Sequence, residues 1–167
     1  HILNSAGITN YVDYQYDMVR IGIGMIGESS NKSIKKQLQN SVSFKTVVSQ
    51  ISEVKTGESV GYSRKYKAEH DTRIATIPVG YADGIPRLVG NKVGNVGINK
   101  KLCPIVGNVC MDMMMINVEN ATVKEGDPVV IFNSHPTLEE FAKYCNTITY
   151  EVLTSISPRV KRIYIKN

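Results

Sequence analysis

The chain is expected to be mainly β, a small β-barrel or sandwich, and two observations carry that expectation. From residue 43 onward, short β-rich runs recur: Thr46 to Val54, Ser59 to Tyr66, Ile74 to Val79, Leu102 to Val109, Met113 to Val118 and Val129 to Phe132. Turn signals separate them, among them Thr56-Gly57-Glu58, Glu69-His70-Asp71, Gly90-Asn91 and Gly126-Asp127. Short strands at such spacing build closed or double-layered β folds. One helix stands out here, Leu138 to Tyr144, because Thr137 and Glu140 form a capping box ahead of an apolar face of Leu138, Phe141 and Ala142. Arg159 to Ile165 is expected as a final strand.

The preceding residues have a different texture. Ile2 and Leu3 run into Asn4, Ser5, Ala6 and Gly7, small residues suited to a cradling loop or a helix cap. Ile8 to Asp17 fits a short helix or an irregular connection. Met18 to Gly27 alternates as a strand, with Arg20, Gly22 and Gly24 on one face and Val19, Ile21 and Ile23 on the other. Glu28 to Ser43 is polar and without a clear period, a linker or marginal helix, so a domain boundary is expected between residues 1–42 and 43–167.

With 167 residues, 42% of them hydrophobic, the chain can bury a sizeable core. The 20 basic residues behind its net charge of +5 are spread along the chain with 15 acidic ones among them, which reads as a solvated face and not a nucleic-acid stripe. Cys103, Cys110 and Cys145 match no zinc spacing and are expected as reduced thiols of a cytoplasmic protein. No apolar run approaches a membrane span. The chain opens at His1 without an initiating Met, so a fragment or processed product is expected.

Four groups could carry chemistry. Tyr81 leaves the apolar run Ile74 to Val79 and enters a turn of Ala82, Asp83, Gly84, Ile85 and Pro86, a geometry that presents one side chain on a rigid support or simply closes a packed loop. Ser5 with Gly22-Ile23-Gly24 offers a hydroxyl and close-approach amides to an anion, although glycines in a strand also mark tight packing. Arg20 needs hydrogen-bonding partners, such as the carboxylates of Asp17 or Glu28. Val106 to Asp112 ends in Cys110, Met111 and Asp112, which serve equally as core filling and a turn. His1 could act as ligand or base at a terminus, whereas His70 and His135 fall in turns and should face solvent. No serine triad, metal cluster or phosphate-loop signature is present.

The blocks HILNSAG (1–7), VRIGIGMIG (19–27), GESVGYSRKY (57–66), IATIPVGYADGIPR (74–87), PIVGNVCMD (104–112), GD (126–127) and TITYEVLTSISPRVKRIY (147–164) resemble, in order, the C-terminal portion of bacterial alanine racemases. The resemblance implies that residues 1–42 are the last strand and helix units of a truncated β/α (TIM) barrel that binds pyridoxal phosphate, and that the remainder is the family's β-rich C-terminal domain. Ser5, Gly22, Ile23 and Tyr150 would hold the cofactor phosphate, in keeping with the usual phosphate site of such barrels. Arg20 would face the pyridine nitrogen, supported by His1. A permanently charged guanidinium leaves that nitrogen unprotonated and weakens the cofactor as an electron sink, which favours racemisation over transamination.

Tyr81 matches the catalytic tyrosine of the resemblance, moving the α-proton on one face of alanine while a lysine serves the other. An unperturbed phenol, with pKa about 10, is only ~0.1% ionised at neutral pH, so such a group needs help from its surroundings. Met111 would hold the substrate carboxylate through its amide, with Asp112 supporting it, and a head-to-tail homodimer making D-alanine for peptidoglycan is implied. Asn108 stands where many members carry arginine and Met113 where many carry glutamine. No lysine here matches the Schiff-base motif, so the 167 residues alone are expected to be inactive. The alternatives are a serine or broad-specificity racemase of the same fold, or a non-catalytic β-domain that mediates interaction or dimerisation.

Overall fold

In the computed structural model, which describes residues 1 to 165, the chain divides into two compact units, His1–Val42 and the residues from Ser43 onward. The second unit is shaped by one two-residue connection. Strands β1 (Phe44–Val47) and β2 (Gln50–Val54) are separated only by Val48 and Ser49, yet they form opposite edges of one seven-stranded sheet. Between those edges lie β5 (Thr72–Ile77), β6 (Asn95–Ile98), β7 (Lys101–Val106), β8 (Met114–Asn117) and β9 (Pro128–Phe132), in the order β1-β9-β6-β7-β8-β5-β2. Every pairing is antiparallel, for example Ile51 against Ala75 and Ile105 against Ile116. A two-residue link can reach both edges only if the sheet curls until they meet, so the mainly β, barrel-like fold follows from that connection.

Curling buries one face, and that face is filled by Ile77, Ile98, Ile105, Met114, Ile116 and Ile131, none more than 1% exposed. At one end, helix α3 (Leu138–Tyr144) closes the core through Phe141, whose ring centroid lies 5.8 Å from that of Phe132, itself 5.9 Å from Phe44. The expected capping box starts this helix: the Glu140 amide donates to Thr137 Oγ1 at 3.1 Å and the Thr137 amide to Glu140 Oε2 at 2.7 Å. Helix α4 (Thr149–Ser155) follows after a short turn. The expected run Ser59 to Tyr66 is a small hairpin, β3 (Ser59–Val60) and β4 (Tyr66–Lys67), interrupted by a 3-10 turn at Tyr62–Arg64.

Two expected strands are absent. Arg159 to Ile165 forms no strand, because the Arg162 guanidinium turns back to donate to the Ile156, Ser157 and Val160 carbonyls and holds the segment against the end of α4. Met18 to Gly27 is also not a strand. Gly22, at φ −131° and ψ −99°, breaks the extended path and a 3-10 turn runs from Ile23 to Ile26. The rest of the first unit comprises α1 (Ser5–Asn10), a 3-10 turn at Val12–Tyr14 and a single turn α2 (Lys32–Lys35). Asn4 caps α1 by accepting from the Gly7 amide at 3.0 Å.

Phe132 touches both the first strand and the closing helix, so Phe132→Ala leaves a cavity at the seam. The expected loss is about 3–5 kcal/mol of stability, measured by urea unfolding, with a far smaller loss for a solvent-facing change such as Val93→Ala.

Candidate active site

Strand β5 ends at Ile77, and the chain turns through Pro78, buried Val79 and Gly80 into a 3-10 turn at Tyr81–Asp83. The turn lies against the loop after β7: the Tyr81 amide donates to the Cys110 carbonyl and the Ala82 amide to the Met111 carbonyl, each at 3.0 Å. Only glycine fits at position 80, since a Cβ there would stand 2.2 Å from the Cys110 carbonyl oxygen. The close approach seats Tyr81 and Met111 on one cleft of about 490 Å³, whose wall also includes Tyr62, Arg87, Asn108 and Asp112. Tyr81 is 43% and Met111 54% exposed, so Met111 is not core filling. Cys110, by contrast, is partly buried and packs on the apolar cluster of Val54, Tyr66, Ile74 and Met115.

Asp83 and Asp112 meet on one arginine. Arg159 donates through Nε to Asp83 Oδ1 and through Nη2 to Asp112 Oδ1, both at 2.7 Å, so a single guanidinium ties the Tyr81 turn, the Met111 loop and the segment after α4. Asp83 also accepts from the Gly80 amide through Oδ2 at 2.9 Å. Burial pushes the Asp83 carboxyl upward, but the Arg159 guanidinium and the Gly80 amide outweigh it and leave the carboxyl below the ordinary carboxylate value. The two carboxylates in turn raise Arg159 above its own ordinary value. Asp112 is therefore an ion-pair partner and not merely a turn former. Reading the sequence alone missed Arg159, because a partner so far along the chain leaves no local pattern.

Tyr62 was missed as well. It is 73% exposed at the tip of the β3–β4 hairpin and belongs to the same cleft as Tyr81. Its neighbours Ser63 (φ 60°) and Arg64 (φ 48°) are left-handed, an uncommon conformation for side-chain-bearing residues that concentrates in functional segments. The available signal was Gly61 followed by Tyr and polar Ser-Arg-Lys, which interrupts the apolar alternation expected of a strand.

Within the first unit, Ser5, Gly22 and Ile23 are brought together. Ser5 Oγ accepts from the Gly22 amide at 2.8 Å and the Gly24 amide at 3.4 Å, with Ile23 between them. A hydroxyl beside backbone amides is the kind of donor set that a phosphate monoester takes, so the residue types fit the phosphate of pyridoxal phosphate, although here the Gly22 and Gly24 amides donate to Ser5 Oγ. Arg20 is exposed and bonds the Ile2 carbonyl through Nη2 at 3.1 Å, not Asp17 or Glu28; Glu28 pairs with Lys35 instead. His1 is exposed at the first residue. Tyr150 is half-exposed in the first turn of α4 and does not line the cleft in the second unit.

The three cysteines are free, and burial pushes their thiols up, Cys145 to about 12. His70 and His135 face solvent, as expected from their turns. No group of His, Cys, Asp or Glu that could hold a metal occurs among the described residues, and no helix among them is long and apolar enough to cross a membrane.

A curled β domain that presents two phenols beside an anchored loop is the class of module that can lend acid/base groups to an active site. Residues 41–164 match the family profile described as alanine racemase, C-terminal domain. The chain is 43% identical to alanine racemase 2 of Caldanaerobacter subterraneus subsp. tengcongensis, over 99% of this chain and 44% of that protein. It is 37% identical to the alanine racemase of Helicobacter acinonychis, over 99% of this chain and 47% of that one. Among solved structures, alanine racemase of Clostridium difficile 630 in complex with cycloserine superposes with a TM-score of 0.92 at 36% identity, over 100% of this chain and 45% of that one. The chain belongs to the alanine racemase family. It spans about half the length of the curated relatives it matches.

Asp83 is held below its ordinary pKa, so its contribution to stability is complete above the usual carboxylate range and is lost as pH falls through the depressed folded value. Asp83→Asn should cost about 1–2 kcal/mol at neutral pH. The gap to the wild type should shrink below about pH 4, measured by denaturant unfolding across pH.

Proposed function

We propose that this chain is the C-terminal portion of a cytoplasmic, pyridoxal-phosphate-dependent racemase that interconverts L- and D-alanine for peptidoglycan synthesis. Residues 1–42 would contribute the end of its cofactor-binding β/α barrel and residues 43–167 its β-rich domain. The observation that carries this reading is the cleft in which Tyr62, Tyr81 and the Met111 loop converge. Ser5 and the Gly22 and Ile23 amides would take the phosphate, and the resemblance assigns a further hydroxyl to Tyr150. The Arg20 guanidinium, with His1 beside it, would face the ring nitrogen and keep it unprotonated. Bound pyridoxal phosphate withdraws electrons from the substrate Cα and so acidifies its α-proton.

The protein's own part is to place the substrate and carry the proton on one face. The Met111 amide would hold the carboxylate, with Asp112 and Arg159 fixing the loop that presents it. Tyr81 is the acid/base group that the resemblance assigns. Tyr62 is a second reading, favoured by its greater exposure, its place in the cleft wall and the left-handed backbone of Ser63 and Arg64 beside it; we place the proton transfer there and read Tyr81 as the wall beside it. A head-to-tail homodimer would bring this cleft to a partner subunit's cofactor. The exposed Leu88, Val93 and Met113 of the second unit also suit the alternative of a non-catalytic β-domain that mediates interaction or dimerisation.

Substitution separates the two tyrosines. In the complete racemase, Tyr62→Phe should lower kcat by about 10²-fold or more and Tyr81→Phe by far less. The reverse order would return the role to Tyr81, and little effect from either would refute both. The 167 residues alone, given L-alanine and cofactor, should yield neither D-alanine nor borohydride-trapped cofactor.

A further inference from the structure

The hairpin that carries Tyr62 has little hold of its own at the tip. Its base is secured by the pairs Ser59 with Lys67 and Val60 with Tyr66, by the Ala68 amide donating to the Glu58 carbonyl at 2.9 Å and by Tyr66 in the apolar cluster, but at the tip the turn adds only one long bond, from the Arg64 amide to the Gly61 carbonyl at 3.3 Å. The tip is held from outside. Asn108 Nδ2 donates to the Tyr62 carbonyl at 3.2 Å, while Asn108 Oδ1 accepts from Asn91 Nδ2 at 3.1 Å. Asn91 is fixed in turn, its amide donating to the Gly107 carbonyl at 2.9 Å. The bonding fixes the orientation of the Asn108 carboxamide, since a carbonyl oxygen can only accept. Gly61 completes the seat: a Cβ there would lie 2.8 Å from the Met115 methyl carbon.

We propose that Asn91 and Asn108 form a strut that positions the Tyr62 phenol in the cleft. A carboxamide is needed at position 108 because it accepts from Asn91 and donates to Tyr62 at once. A carboxylate cannot donate to the Tyr62 carbonyl, and an arginine has no acceptor for Asn91. Asn108 is thus a positioning residue that acts through Tyr62, and its effect on turnover rests on the proton-transfer role proposed for that tyrosine.

The test places 3-fluorotyrosine at position 62 in the complete racemase and compares the parent with Asn108→Ala, Asn108→Asp, Asn91→Ala and the double variant Asn91→Ala/Asn108→Ala. The parent should give one narrow fluorine resonance, and each single variant a broadened or split one, with no further change in the double variant. Turnover in unlabelled enzyme should fall about ten-fold. The primary isotope effect with α-deuterated alanine should rise for one enantiomer only, because the phenol serves one face. Loss of folded enzyme alone would lower turnover without touching isotope effect or resonance. An unchanged resonance in Asn108→Ala and Asn108→Asp overturns the strut. A broadened resonance with unchanged turnover keeps the strut and removes Tyr62 from proton transfer.

Discussion

The cleft depends on one guanidinium. Arg159 reaches Asp83 in the turn after β5 and Asp112 in the loop after β7, segments that also meet through the Tyr81–Cys110 and Ala82–Met111 backbone bonds and the close approach at Gly80. The two legs are unequal. The Asp83 side chain is 12% exposed, so its pairing works in a poorly hydrated setting, where leaving the carboxylate unpartnered would be costly. Asp112 is 57% exposed, and exposed pairs contribute little. The Asp83 leg therefore holds the turn, while the Asp112 leg orients the Met111 loop against it. The result is a cleft wall in which the Tyr81 turn and the Met111 loop are tied together by side-chain as well as backbone bonds.

Local chemistry was what the sequence made legible. The Thr137 and Glu140 box is satisfied within four consecutive residues, and the helix begins where that pattern says. Runs of β-branched residues marked most strands, but β6 escaped because Gly94 and Gly97 interrupt its apolar alternation, and α4 was left unassigned because no capping residue starts it: its N-cap is Ile148, with no side-chain bond. Met18 to Gly27 failed in the opposite sense: the alternation is present, but Gly22 departs from extended geometry. The family blocks located the Tyr81 turn and the Met111 loop. They could not show that Arg159 joins those blocks, or that Asn108 joins the Tyr62 turn to Asn91, because such pairs are set by folding alone.

Each unit assembles its own functional cluster. In the first, one serine hydroxyl gathers the amides around Ile23; in the second, the cleft gathers two tyrosines and an anchored loop. The function proposed above would use both surfaces, one toward an anionic group and one toward a proton, and the chain's membership of the alanine racemase family is consistent with that use.

Amide hydrogen exchange tests the central claim, that Arg159 fixes the cleft, most directly. In Arg159→Ala, the Tyr81 and Ala82 amides, which donate to the Cys110 and Met111 carbonyls, should exchange faster by on the order of ten-fold, while amides in the β5–β8 pairing keep their protection. Unchanged exchange at Tyr81 and Ala82, or uniform acceleration across the sheet, would contradict the account.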